Sequence, residues 1–278
     1  MARSESIYLA IGGGDISGSK DILDEIFAYL GKRRDPRIVI MTVATNIRGR
    51  ASDKYNSIFR RDGVSHVGIV DIWERKDAFN KASLKKIEQA DAIFFTGGDQ
   101  KNITGLMGGS PMDEAMRERI EAGVMIAGTS AGAAMMSGSM IVGGDSADTP
   151  CVGCVELAPG MGLIGSTIID THFSQRGRHG RLLTAVAHHP HLVGIGLDEN
   201  TAIRVTGSEF KVLGEGSVTV IDASKTRYSD LALKQEDEPI AMFDVCMHLL
   251  PREHSYDLAN RQPTPTPNNK RRPLEASG

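Results

Sequence analysis

The chain has 278 residues, with 32 basic against 35 acidic side chains and a formal net charge of −3. Its apolar fraction of 40% and charged fraction of 24% are those of an ordinary globular protein, and they exclude collagen-like, coiled-coil and wholly disordered chains. The near-balance of charge argues against a dedicated nucleic-acid binder, which usually carries a basic excess.

The sequence predicts neither a membrane span nor a secretion signal. Its apolar runs fall short of the roughly 18 residues that a spanning helix needs. The apolar run at residues 7–11 is too short for the core of a signal peptide. We therefore expect a cytoplasmic protein that binds neither membranes nor nucleic acid.

The first half of the chain alternates between strand-like and helix-like patterns. Apolar, partly β-branched runs predict strands at residues 7–11, 37–43, 66–70, 92–96 and 124–127. Apolar residues at helical spacing predict helices at residues 22–30, 52–61, 82–89 and 112–122. Strands that alternate with helices indicate βαβ units and a parallel sheet.

The second half is less regular. The predicted strands are residues 167–169, 193–197, 202–205, 211–213, 217–221 and 241–249, with a helix at 181–188. Residues 1–258 are predicted to form a single α/β domain. Residues 259–278 are rich in proline and include a basic run, so we expect a disordered tail that cannot bury enough apolar surface to fold.

The segment Gly-Thr-Ser-Ala-Gly at 128–132 carries the strongest chemical signal. An apolar strand precedes it and a helix-forming stretch follows, which is the pattern of a nucleophile elbow around Ser130. Glycines on both sides of the serine permit the strained turn that such an elbow needs. The alternative is an ordinary turn between a strand and a helix.

A second glycine turn, Thr-Gly-Gly-Asp-Gln at 96–100, ends the preceding predicted strand. The carboxyl ends of parallel strands share one edge of a sheet, where open α/β folds bind ligands. The backbone amide of Gly98 or Asp99 is therefore predicted to join that of Ala131 in an oxyanion hole. The alternative is a plain turn at the end of a strand.

A nucleophilic serine needs a base and an acid that orients it. His172 follows a predicted strand and is the favoured base among eight histidines. Glu199, which also follows a strand, is the acid that fits best by placement. Three other acids remain as alternatives: Asp145, Asp170 and Asp198.

Arg176, Arg178 and Arg181 follow the predicted base closely. Guanidinium groups bind carboxylates in a bidentate manner, so this cluster indicates an anionic substrate. The alternatives are a solvated basic loop or a contact to nucleic acid.

Two further motifs carry less weight. Cys151 and Cys154 form a single C-x-x-C, whereas a zinc site needs two more ligands at suitable spacing. Gly12, Gly14 and Gly18 miss the spacing of a dinucleotide fingerprint. We expect no metal and no bound cofactor.

Taken together, these stretches resemble the cyanophycinases, which belong to a serine peptidase family that also contains aspartyl dipeptidase (peptidase E). The matching stretches are Gly-Gly-Gly-Asp at 12–15, Phe-Thr-Gly-Gly-Asp-Gln at 95–100, Gly-Thr-Ser-Ala-Gly-Ala-Ala at 128–134, His-Phe-Ser-Gln-Arg-Gly-Arg at 172–178, Gly-Arg-Leu at 180–182 and Gly-Leu-Asp-Glu-Asn at 196–200. The resemblance implies a three-layer α/β fold, similar to class I glutamine amidotransferases and flavodoxin-like, with a mostly parallel sheet and a nucleophile elbow.

The resemblance also implies roles for individual residues. Ser130 would be the nucleophile, His172 the base and Glu199 the orienting acid of an enzyme without a cofactor. The substrate would be cyanophycin, a poly-aspartate chain with arginine on each β-carboxyl, and the product β-aspartyl-arginine. The implied substrate contacts are Gln100, Thr171, Arg176, Arg178 and Arg181.

One departure is Thr171, where the resemblance predicts a glutamine that contacts substrate, so fine specificity stays open. The substrate guanidinium is expected to meet an acid such as Asp99 or Glu156. The resemblance further implies a homodimer. Rival hypotheses are an aspartyl or isoaspartyl dipeptidase of the same family, a non-catalytic binding protein of this fold, and a nucleotide-binding oxidoreductase that relies on the Gly12 cluster.

Overall fold

The computed structural model describes residues 6–144 and 149–264. The α-helices are α1 (Lys20–Leu30), α2 (Arg48–Arg61), α3 (Lys81–Glu88), α4 (Gln100–Met107), α5 (Pro111–Glu121), α6 (Ala131–Ala134) and α7 (His179–His188). The 3₁₀ turns are Arg75–Phe79, Ser174–Arg176 and Leu231–Leu233.

The strands of the first half are β1 (Ile7–Ile11), β2 (Arg37–Met41), β3 (His66–Val70), β4 (Ala92–Phe95), β5 (Met125–Thr129) and β6 (Ser139–Gly143). Those of the second half are β7 (Glu156–Pro159), β8 (Thr167–Thr171), β9 (Val193–Leu197), β10 (Thr201–Thr206), β11 (Glu209–Gly214), β12 (Ser217–Asp222), β13 (Tyr228–Ser229), β14 (Met242–Phe243), β15 (Cys246–Pro251), β16 (Ser255–Asp257) and β17 (Gln262–Thr264).

The larger sheet has the strand order β17-β16-β11-β10-β1-β5-β4-β2-β3. Its half from β1 to β3 is parallel, and its half from β10 to β17 is antiparallel. The predicted α/β fold with βαβ units is therefore confirmed. The sheet as a whole is mixed, because the short strands after β9 return in hairpins.

Helices cover both faces of the parallel half and make three layers. Along β2, Ile38 and Ile40 pack with α1 and α2, whereas Val39 and Met41 pack with α3, α4 and α5. This alternation follows from the two-residue period of a strand. Both faces are buried, which explains the nearly continuous apolar run in the sequence.

The second sheet, in the order β15-β12-β9-β8, packs one face toward the larger sheet and the other against α7. Its strands β8 and β9 are parallel. Their carboxyl ends bring the segments after Thr171 and Leu197 toward the end of β5.

Several elements differ from the sequence predictions. The predicted strand at 241–249 is divided at Asp244, whose φ is 64°, into β14 and β15. Helix α4 and the β6–β7 hairpin were not predicted. The ordered chain passes the predicted boundary at residue 258, since β17 pairs with β16; residues 265–278 lie outside the described residues.

Three further features bear on the predictions. Cys151 and Cys154 are joined in a disulfide. No group of His, Cys, Asp and Glu side chains suited to a metal ion occurs among residues 6–144 and 149–264. In the same part of the chain, no helix combines the length and apolarity needed to cross a bilayer.

Candidate active site

Residues that follow several strands converge around one cleft of about 240 Å³. Ser130 follows β5, Gly98 follows β4, His172 follows β8 and Glu199 follows β9. Gly13, after β1, lies against the imidazole of His172. The cleft therefore sits at the carboxyl edge of the parallel strands, as expected for an open α/β sheet.

Ser130 occupies a sharp turn between β5 and α6, with φ 52° and ψ −112°. Its amide donates a hydrogen bond to the Ile11 carbonyl at 2.9 Å, which helps to hold this strained conformation. A Cβ on Gly128 would lie 2.2 Å from the Gly132 carbonyl oxygen, and one on Gly132 would lie 2.5 Å from that of Phe95. There is therefore no room for a side chain at either of the glycines that flank Ser130.

The predicted nucleophile, base and acid form one hydrogen-bonded chain. His172 Nε2 lies 2.9 Å from Ser130 Oγ, and His172 Nδ1 lies 2.6 Å from Glu199 Oε1. An ionised carboxylate can only accept, so Nδ1–H donates to Glu199 and Nε2 accepts from the Ser130 hydroxyl. This is the geometry in which a histidine can take the proton of a serine.

The three alternative acids do not take this position. Asp170 is bound by two arginines and Asp198 by two serines. Asp145 lies outside the described residues.

The glycines after β1 serve the packing of this site. A Cβ on Gly13 would lie 2.3 Å from Cε1 of His172, and one on Gly12 would lie 2.1 Å from the Asp198 carbonyl oxygen. The Gly12 carbonyl accepts from the His172 amide at 2.8 Å, and the Gly13 carbonyl accepts from the Asn200 amide at 3.0 Å. Close approach to the His172 and Glu199 loops therefore accounts for Gly12 and Gly13.

The structure changes the predicted oxyanion hole. The Asp99 amide donates to the Ala44 carbonyl at 2.8 Å, so it is not free to bind an oxyanion. Gly98 has φ 144°, and a Cβ there would lie 2.1 Å from the Ala44 oxygen. Ala131 opens α6, where the first amides have no acceptor within the helix. The amides of Gly98 and Ala131, both at the cleft, are the remaining donors.

The arginine cluster forms one wall of the cleft around a buried carboxylate. Arg181 donates to both oxygens of Asp170, at 2.6 and 2.5 Å, and Arg178 donates to the same group at 3.2 Å. Burial lowers the pKa of Arg178 to about 10, a shift that Asp170 opposes and Arg181 and Arg176 increase. Because one carboxylate faces three guanidinium groups, the wall keeps an excess of positive charge.

The remaining predicted substrate contacts also line the cleft, but they differ in exposure and in hydrogen bonding. Gln100 donates its side-chain amide to the Ile141 carbonyl of β6. Thr171 is buried, and Arg176 is exposed. The β6–β7 hairpin supplies a wall that the sequence analysis missed, including Gly143, against which the Glu156 carboxylate lies.

The sequence analysis also did not predict the hydrogen-bond network around Asp198. The Asp198 carboxylate accepts from the amides and hydroxyls of Ser174 and Ser217. The Gln175 side chain accepts from the Glu199 amide at 3.0 Å. These bonds connect the turn that carries His172 to the loop that carries Glu199, so they fix the distance between these two side chains.

Comparison with known proteins identifies the family of this chain. Residues 8–213 match the model of peptidase family S51. The chain therefore belongs to peptidase family S51.

Curated relatives of this S51 peptidase carry the name cyanophycinase. The protein of Geminocystis herdmanii is 35% identical over 261 residues, which cover 93% of this chain and 96% of the relative. That of Trichormus variabilis is 35% identical over 265 residues, with 94% and 89% coverage. That of Synechococcus elongatus is 31% identical over 260 residues, with 93% and 81% coverage.

A solved structure supports the fold of this S51 peptidase. A peptidase from an acI-B1 actinobacterium superimposes with a TM-score of 0.62 at 17% identity, covering 89% of this chain and 99% of that one. The superposition shows the fold alone, and the family match shows that the chain is a serine peptidase.

Replacing Gly13 with alanine is expected to reduce kcat of this S51 peptidase by about tenfold to a hundredfold, because a displacement near 1 Å at a reacting group can cost that much. The new methyl would overlap the His172 ring, and the φ of 107° disfavours any side chain. Gly18→Ala is the matched control, since nothing lies within 4 Å of its Cβ position. Equal kcat for both variants would contradict this account of the glycine cluster.

Asp198→Asn is expected to destabilise the protein by about 1–3 kcal/mol at pH 7, because buried donors lose an acceptor. Burial alone would raise the pKa of Asp198, but hydrogen bonds from Ser174 and Ser217 outweigh it and hold the pKa below its usual value. The carboxylate therefore stabilises the fold above about pH 4 and loses this effect as the pH falls through its lowered pKa. Urea unfolding of both proteins should show the difference shrinking between pH 7 and pH 3; a constant difference would exclude this cause.

Proposed function

We propose that this S51 peptidase hydrolyses cyanophycin from its carboxyl end and releases β-aspartyl-arginine dipeptides. The chain of hydrogen bonds from Ser130 through His172 to Glu199 is the observation that carries the chemistry. The names of the curated relatives and the basic wall of the cleft support the substrate.

In the proposed reaction, Ser130 Oγ attacks the carbonyl carbon of a backbone peptide bond while His172 Nε2 takes its proton. The amides of Gly98 and Ala131 donate to the oxyanion that forms. His172 returns the proton to the leaving amine of the dipeptide, and the remaining polymer stays as an ester on Ser130. Water, deprotonated by His172, then hydrolyses this ester and restores the hydroxyl.

The charges of the cleft suit the two ends of such a dipeptide. The excess positive charge of Arg176, Arg178 and Arg181 would bind the terminal carboxylate. Glu156 does not line the cleft, but its carboxylate lies against Gly143, which does, and a substrate guanidinium that extends past Gly143 would meet it there.

The test is incubation of purified protein with insoluble cyanophycin, followed by mass spectrometry of the soluble products. Release of β-aspartyl-arginine by the wild type, and none by Ser130→Ala, would support substrate and nucleophile together. No soluble product from folded protein would contradict the proposal, and a panel of aspartyl and isoaspartyl dipeptides would then test the alternative within the family.

A further inference from the structure

Trp73 is the only tryptophan in the sequence, and 62% of its surface is exposed. A single exposed hydrophobic side chain is common on protein surfaces, so a role for this one depends on what surrounds the ring. The residue follows β3, so it lies at the same carboxyl edge of the sheet as Ser130.

Arg48 packs against one face of the indole ring. The guanidinium carbon of Arg48 lies 3.5 Å from the ring centroid, and Arg48 is only 5% exposed. The Trp73 amide donates to the Asp77 carboxylate at 2.8 Å, which fixes the backbone. Since Arg48 covers one face, the large exposed area leaves the opposite face open to solvent.

The surroundings of the ring favour a cation on that open face. The carboxylates of Asp71 and Asp77 both attract the Arg48 guanidinium. Asp77 also attracts Lys76, which is paired with Glu74. Arg75 donates to the carbonyls of Gly105 and Gly108. A second guanidinium could stack on the indole without an uncompensated repulsion from Arg48.

The strand order gives the lateral separation of the Trp73 and Ser130 strands across the sheet. From β5, which carries Ser130, the sheet continues through β4 and β2 to β3. Three steps at the usual strand spacing amount to roughly 14 Å. The loop after β2 lies between the two ends of this distance, since its Ala44 carbonyl accepts a hydrogen bond from the Asp99 amide. In the same loop, Ile47 is 63% exposed.

We propose that Trp73 is a remote substrate subsite, which stacks a guanidinium group of the polymer several units away from the scissile bond. The proposal rests on the proposed function, because cyanophycin carries a guanidinium on every unit. Roughly 14 Å corresponds to about four extended backbone residues, so a long substrate reaches the ring and a very short one does not. His172 lies on the β1 side of Ser130, whereas Trp73 lies on the opposite side.

Because the sequence contains a single tryptophan, a change in tryptophan fluorescence reports binding at Trp73 directly. Ser130→Ala protein is titrated with a two-unit and an eight-unit arginylated aspartate oligomer, and tryptophan fluorescence is recorded. We expect a saturable change in intensity with the eight-unit oligomer, which spans roughly 28 Å when extended, and none with the two-unit one. An unchanged spectrum with saturating eight-unit oligomer would overturn the proposal.

Kinetics separate this subsite from the reacting centre. Trp73→Ala is expected to raise KM for the eight-unit substrate about tenfold, while kcat/KM for the two-unit substrate stays within about twofold. Trp73→Phe should restore part of the affinity that Trp73→Ala loses. Leu249→Ala removes a side chain on β15 that is as exposed as Trp73, and it should change neither the KM for the eight-unit substrate nor the kcat/KM for the two-unit substrate. Equal losses on both substrates would overturn the subsite. If the wild type cleaves neither oligomer, the proposed function fails, and the fluorescence titration still decides the stacking.

Discussion

Ser130→Ala is expected to lower kcat at least about 10³-fold, because the variant lacks the hydroxyl oxygen that lies 2.9 Å from His172 Nε2. The hydroxyl makes no capping bond to α6, and alanine tolerates a φ of 52° no worse than serine does. Stability should therefore change little, and the loss should appear in turnover alone.

The measurement combines kcat on cyanophycin with thermal unfolding of both proteins. Labelling with a fluorophosphonate and peptide mapping add an independent readout, since the reagent should modify Ser130 in the wild type only. A variant that keeps a tenth of the wild-type rate would show that another group attacks the substrate.

The sequence alone located the residues at the strand ends well. Apolar runs mark where β4, β5, β8 and β9 end, and a glycine turn or a polar residue follows each of them. Because parallel strands bring such ends together, Ser130, His172 and Glu199 were predicted as neighbours, and their atoms lie within hydrogen-bond distance. Their catalytic roles stay predictions until turnover is measured.

What the sequence could not predict depends on partners that are distant along the chain. The Asp99 amide is bound by Ala44, which lies in the loop after β2, and no local pattern indicates this bond. Likewise, Arg178 and Arg181 share Asp170, which is visible only once α7 packs beside β8. The antiparallel half of the sheet was harder to predict because its strands are short and their partners are set by hairpins.

Glu199 and Asp170 are two acids near His172. Substituting Glu199 should lower kcat, whereas substituting Asp170 should lower the free energy of unfolding. Glu199→Gln is expected to lower kcat about 10²- to 10³-fold, because a neutral amide stabilises the protonated imidazole less and can favour the wrong tautomer. The Glu199 side chain is 37% exposed, so unfolding stability should hardly change. Kinetics and urea unfolding on the same samples measure both quantities.

Asp170→Asn should instead cost about 3–5 kcal/mol of unfolding free energy, since it leaves Arg178 and Arg181 without their buried counter-charge. Asp170 is 2% exposed, and both its oxygens already accept from Arg181. The folded fraction of this variant should keep the hydrogen bond between His172 and Glu199, and so a kcat close to that of the wild type. If Glu199→Gln kept full kcat while folded Asp170→Asn lost it, Asp170 would be the orienting acid, and the 2.6 Å contact between His172 and Glu199 would not be the one that matters for turnover.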